Sequence, residues 1–154
     1  MNGWASSRRA GARLAKCSVE EQIVKINRGR EAGLASENRT DGDTFTGTVW
    51  ADPVLRGVSG VNVNTVFFGP GGRTYWHSHE GGQVLLVTAG RGYVRTRAGQ
   101  GEWVAGGDVV FSDGGEEHWH GAGGETFLVH TAVSLGETKW LEEVAEEDYR
   151  GAVT

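Results

Sequence analysis

Gly71-Gly72-Arg73-Thr74-Tyr75-Trp76-His77-Ser78-His79-Glu80-Gly81-Gly82-Gln83-Val84-Leu85-Leu86-Val87-Thr88-Ala89-Gly90 carries most of the structural information in this chain. Glycines bound it, and His77 and His79 stand two residues apart within it. Side chains at i and i+2 of an extended strand share one face, so both imidazoles point the same way. Farther along, His118-Trp119-His120 repeats the spacing after another strand, and His130 lies in the middle of a later one. All five histidines fall between positions 77 and 130. Imidazole is the commonest metal-binding side chain, and two same-face pairs offer three or four nitrogens to one divalent ion. An isolated His-x-His is more often a surface or core pair without a metal; here two pairs occur together.

Working outward, short apolar alternations recur at 45–50, 61–68, 74–79, 83–88, 92–97, 108–111 and 127–135. Turn signals separate them, including Gly69-Pro70-Gly71-Gly72, Ala89-Gly90-Arg91-Gly92, Ala98-Gly99-Gln100-Gly101 and Gly114-Gly115. The 26 glycines among 154 residues suit many strands with tight turns, since each helix-interior glycine costs about 1 kcal/mol. Seven or eight strands at this spacing predict an all-β sandwich or closed barrel. Gln22-Ile23-Val24-Lys25-Ile26 fits one further strand, and 28–43 reads as loop. From Thr138 to Tyr149 the chain turns Glu-rich, and Trp140 and Val144 stand four apart, which predicts a short C-terminal helix. Its acidic residues Glu142, Glu143, Glu146, Glu147 and Asp148 read as a solvated face.

Composition narrows the functional classes. Residues 1–30 carry seven Lys/Arg and two Glu, or +5, so the remainder carries −10 against a total of −5. An acidic body argues against a nucleic-acid surface. The basic stretch at 1–21 is expected to be a flexible arm ahead of a domain spanning 22–150. No 18-residue apolar run crosses a membrane, and no apolar stretch follows the early charges as in a signal peptide. The single Cys17 excludes an intrachain disulfide and makes a reducing cytoplasm the expected compartment.

The 71–90 stretch resembles the first motif of the cupin family: Gly71, five residues, His77 and His79, three residues, Gln83, six residues, Gly90. A degraded second motif follows, with Ala105-Gly106-Gly107-Asp108 where the family has a proline and then His118. The resemblance spans 22–150 and implies a double-stranded β-helix, or jelly-roll, barrel. It also implies that His77, His79, Gln83 and His118 ligate one divalent metal. Gln83 stands where most cupins have glutamate, so the ion would keep its charge uncompensated and act as a stronger Lewis acid. The alternative for Gln83 is an ordinary strand residue. Ligand type admits Mn, Fe, Ni, Co or Zn.

Phe45–Val49 with Asp52-Pro53, Trp76-His77-Ser78-His79, the 82–90 run, His118-Trp119-His120-Gly121-Ala122, His130 and Lys139-Trp140 resemble a subgroup of small bacterial cupins that includes manganese-dependent hydroxynitrile lyases. That resemblance implies manganese first among the metals and a lyase acting on a small hydroxylated molecule. His130 and His120 are then the candidate proton carriers; His130 as a hydrogen-bonded core histidine is the alternative. Asn64 and Val66, on one face of 61–68, and Tyr75, sharing a face with His77, are candidate substrate-binding residues. Trp50, Trp76, Trp103 and Trp119 are expected to pack. Two other functions stand beside the lyase: an Fe(II) dioxygenase acting on an enol or diketone, and a non-catalytic binding module. The expected partners are a small-molecule substrate and, through an exposed edge such as 23–26, a second copy in a homodimer.

Overall fold

The computed structural model describes residues 44–154 together with Val24, Ile26, Asn27, Glu37 and Asn38. The expected arm at 1–21 lies outside the described residues, as do Gln22, Ile23 and Lys25. Val24 and Ile26 are exposed and carry no strand assignment.

Among the described residues, twelve strands and one helix follow in order: β1 (Glu37–Asn38), β2 (Phe45–Thr46), β3 (Val49–Val58), β4 (Val61–Phe68), β5 (Arg73–Thr74), β6 (His77–His79), β7 (Gln83–Thr96), β8 (Gly101–Ala105), β9 (Val109–Ser112), β10 (His118–Ala122), β11 (Leu128–Leu135), β12 (Thr138–Trp140) and α1 (Glu146–Val153). The pairings are antiparallel and run β1-β3-β4-β11-β7-β10-β5-β2, with β9 and β8 added along β7 and β6 between β10 and β12. This is the expected all-β rolled barrel, with one short C-terminal helix.

Strand β7 builds the barrel. Its first half pairs with β11 and β9, and its second half, from Arg91 on, with β10 and β8. The Ala89-Gly90-Arg91-Gly92 run, expected to be a turn between two strands, is therefore a bend within one strand that passes from one sheet to the other. Gly90 sits at φ +78°, where an added Cβ would meet the Phe127 carbonyl oxygen at 2.0 Å. Only glycine fits there, and the bend it permits closes the roll.

Three other expectations need correction. Part of the 28–43 loop is strand, because Glu37 and Asn38 pair with Ala51 and Trp50. The strand read at 45–50 is two strands, split where Gly47 turns at φ +77°. The C-terminal helix starts at Glu146 rather than near Thr138, because 138–140 pairs with β6 in the register Thr138↔His79, Lys139↔Ser78 and Trp140↔His77. The Trp140/Val144 spacing thus marks a strand end and a buried loop residue, not a helix face. Glu146, Glu147 and Asp148 occupy the helix's first turn, where acidic side chains favour the macrodipole.

The core has two parts. One fills the barrel around Val49, Phe68, Leu85 and Leu128. The other gathers Trp76, Trp119, Val144 and Tyr149, where α1 docks. The Tyr149 hydroxyl donates to the Ala122 carbonyl at 2.9 Å, and the buried Arg73 guanidinium lies 4.5 Å over the Tyr149 ring. Trp76 and Trp119 pack as expected, whereas Trp50 is 41% exposed.

Candidate metal centre

Strand alternation aims the histidines inward. β10 lies between β6 and β7, with His118 opposite both His77 and Thr96. His77, His79, His118, His120 and His130 are all at most 3% exposed. The glycines after His120 do not turn it outward: its ring centroid lies 4.8 Å from His130 and 5.2 Å from His77. The ligand-capable nitrogens of His77, His79 and His118 lie within 4.8 Å of one another, a grouping able to hold a metal ion. Gln83, buried at the start of β7, places its Oε1 3.1 Å from His118 Nε2, and its Nε2 donates to Ser134 Oγ at 3.0 Å.

Protein oxygens fix how these rings present themselves. His77 Nδ1 donates to the Tyr75 carbonyl at 2.9 Å and His118 Nδ1 to the Glu116 carbonyl at 3.0 Å, which leaves a lone pair on each Nε2. His79 Nδ1 is 2.9 Å from Thr138 Oγ1, and its Nε2 is buried without a hydrogen-bond partner. The His118 Nε2 lone pair and the Gln83 carbonyl oxygen are both acceptors. With the His118 proton on Nδ1, no hydrogen bond joins them, and a shared cation satisfies both. The buried, unpartnered His79 nitrogen makes the same demand, so the donor set fits a divalent ion.

His120 and His130 form a second arrangement. His130 Nε2 and His120 Nδ1 are 3.1 Å apart, while His120 Nε2 and His130 Nδ1 are buried without partners. Phe68 packs against both rings, at centroid distances of 5.8 and 5.3 Å. Burial pushes all five imidazoles below their ordinary range, His79 and His130 to about 4. Neighbouring imidazoles lower His77, His79 and His120 further. At neutral pH all five are therefore uncharged, as metal ligands and general bases both require.

His77, His79, Gln83, His120 and His130 line a cavity of about 180 Å³. Asn64 and Val66 line it as expected. Tyr75 is not in the lining; it sits in the break between β5 and β6 and contributes its backbone carbonyl to His77. Phe45, Phe68, Thr138 and Trp140 line the cavity but were not read as site residues from the sequence. Trp140, 4.8 Å from the His77 ring, escaped because its segment reads as helix. The degraded second motif still turns: the Ala105 amide donates to Asp108 Oδ2 at 2.7 Å, and Gly107 takes φ +104°.

No family model matches the sequence. The chain is 38% identical over 130 residues to the (R)-mandelonitrile lyase of Granulicella tundricola, covering 79% of this chain and 97% of that protein. Among solved structures, a cupin-like protein from Thermotoga maritima superposes with a TM-score of 0.70 at 36% identity, covering 86% of this chain and 98% of the other. The polyketide cyclase RemF of Streptomyces resistomycificus shares the fold at a TM-score of 0.63 and 18% identity, over 82% of this chain and 92% of its own. With an inward histidine set on a rolled sheet and this likeness along most of its length, the chain belongs to the cupin family, among the small cupins that resemble hydroxynitrile lyases.

Proposed function

We propose that this cupin is a metal-dependent lyase that cleaves, and in reverse forms, a cyanohydrin of a small aromatic aldehyde. The observation that carries the proposal is a nitrogen-rich ligand set, His77 and His79 of which line the same cavity as an uncharged His120–His130 couple. In this reading the 22–150 domain holds the site, and His77, His79, His118 and Gln83 hold one divalent ion, manganese first, with Fe, Ni, Co or Zn admitted by the same donors. Such an ion lowers the pKa of a substrate hydroxyl and stabilises the charge left when its proton departs.

The chain's own residues supply the rest. Each neutral imidazole carries one N–H, so the 3.1 Å contact between His130 and His120 uses one proton and one lone pair. Whichever ring donates, the outer nitrogens then present one lone pair and one N–H. The couple is a base at one end and an acid at the other. It accepts the hydroxyl proton as the carbon–carbon bond breaks, the carbonyl forms and the electron pair leaves with cyanide. The N–H then protonates the cyanide, which departs as hydrogen cyanide. Burial keeps both rings neutral, the protonation state that this exchange needs.

The cavity supports the substrate class. A void of about 150 Å³ takes benzene, so one aromatic ring with small substituents suits the space here. Phe45, Phe68 and Trp140 supply apolar lining for the ring, and Asn64 and Ser134 add polar groups to it. The lone Cys17 suits the reducing cytoplasm in which we place the enzyme. Cyanide release from mandelonitrile by metal-loaded protein, abolished in His77→Ala, is the expected result. Release no faster than in a metal-free control overturns the proposal. Substrate-dependent oxygen consumption on an enol or diketone would put an Fe(II) dioxygenase in its place.

A further inference from the structure

We propose that Ser134 is a positioning residue for the metal site, the acceptor that keeps the oxygen end of the Gln83 amide turned toward the ligand nitrogens. The inference rests on Gln83 as a ligand in the reading above, and it adds what allows an amide to serve there.

A carboxylate presents an oxygen at either end, whereas an amide has an oxygen at one end and two N–H groups at the other. With glutamine at position 83, orientation becomes a condition for ligation. The ligating end does face the site: Gln83 Oε1 is 3.1 Å from His118 Nε2, and Gln83 Nε2 donates to Ser134 Oγ at 3.0 Å. His118 by itself favours the other end. Its Nδ1 donates to the Glu116 carbonyl, so its Nε2 lone pair would accept an N–H from a turned-over amide. Before a cation arrives, the imidazole therefore works against the ligating orientation, and the bond to Ser134 has to hold it.

Strand register supplies Ser134. Alternation along β11 turns His130, Ala132 and Ser134 to the cavity, and the ladder sets Ser134 directly opposite Gln83 on β7. Both side chains are buried, so an amide N–H without a protein acceptor there is costly. Asn62, opposite Ser134 on β4, does not compete, since its Oδ1 accepts from the Gly57 amide at 2.9 Å. A hydroxyl takes the N–H without adding charge, in a cavity whose described lining residues include no Asp, Glu, Lys or Arg. In Ser134→Ala the ligating orientation leaves a buried N–H unpaired, while the turned-over amide bonds His118. The amide then turns over, and the ion loses its oxygen ligand.

Metal titration and the visible spectrum of the cobalt(II)-loaded protein test this without substrate. Ser134→Ala should bind the ion about 10- to 100-fold more weakly, the range for losing a partner behind a ligand. Its cobalt d–d bands should shift to match those of Gln83→Ala. Ser134→Thr, which keeps the hydroxyl, should restore both. In a Gln83→Glu background the two ends of the side chain are alike, so adding Ser134→Ala should change affinity by less than about threefold. Ser112→Ala, on the opposite flank of Gln83, should leave affinity and spectrum unchanged. Wild-type affinity in Ser134→Ala or in Gln83→Ala overturns the proposal, as does an unshifted spectrum in Ser134→Ala. An equal loss in both backgrounds, or an equal loss in Ser112→Ala, also overturns it, because general loosening of the strands would then explain the effect. Cyanide release enters none of these readings, so the lyase proposal stands or falls separately.

Discussion

The three histidines around Gln83 and the His120–His130 couple share a burial and a neutral charge state, yet the protein holds them differently. Carbonyl oxygens of Tyr75 and Glu116 and the Thr138 hydroxyl grip the Nδ1 atoms of His77, His118 and His79. The couple is tied only to itself, through one 3.1 Å contact. A ring whose tautomer is fixed by the backbone suits a ligand, because its lone pair cannot wander. A ring bonded to another ring can exchange tautomers without moving, which is what a proton carrier needs. One sheet roll thus gives two environments to the same side chain.

The most severe way to break this comparison is to remove one member of each group. His77→Ala should lose both the bound metal and cyanide release. His130→Ala should keep about one ion per chain and lose about 10²- to 10⁴-fold in rate, the range for removing a general acid or base. Metal content by elemental analysis, measured beside the rate, separates the two outcomes. If His130→Ala loses its metal as well, the division of labour drawn here is wrong.

A milder test touches the grip instead of the ring. Thr138 contacts His79 through its hydroxyl, whereas His77 and His118 use backbone carbonyls that no substitution removes. Thr138→Val should therefore weaken metal affinity by about 10-fold, toward the low end for losing a partner behind a ligand. Thr138→Ser should restore it. Metal titration of the purified variants decides the matter; an unchanged affinity in Thr138→Val means that Oγ1 does not orient His79.

The ligand group was far more legible in the sequence than its supports. Alternation along a strand puts His77 with His79 and His118 with His120 on one face, a consequence of strand geometry that needs no tertiary information. The oxygens that fix the rings come instead from Tyr75, Glu116 and Thr138, and only the fold brings Thr138 opposite His79. Trp140 was hidden for a related reason: a four-residue spacing imitates a helix where sheet pairing prevails. Pro53 concealed most of β3, since proline ordinarily interrupts a ladder. Here the register shifts between Pro53 and Leu55, so the missing amide falls at an irregularity. Gly90 posed the opposite problem, being a turn signal in sequence and a bend within one long strand in space.

The smallest expected effect is on stability, and it depends on both groups. Each buried histidine has a folded-state pKa below its ordinary 6.5, with His79 and His130 at about 4. Between these values the unfolded chain binds more protons than the folded one, so stability rises with pH. The contribution is complete above about pH 6.5 and is lost as the pH falls toward 4. Unfolding temperature of the metal-free protein should decline through that window, and replacing His130 by Phe should flatten part of the decline. Bound metal should deepen the loss, because protons then compete with the ion for the three gripped rings and not for the couple. If metal leaves the slope unchanged between pH 6.5 and 4, His77, His79 and His118 are not its ligands, however well their geometry suits the task.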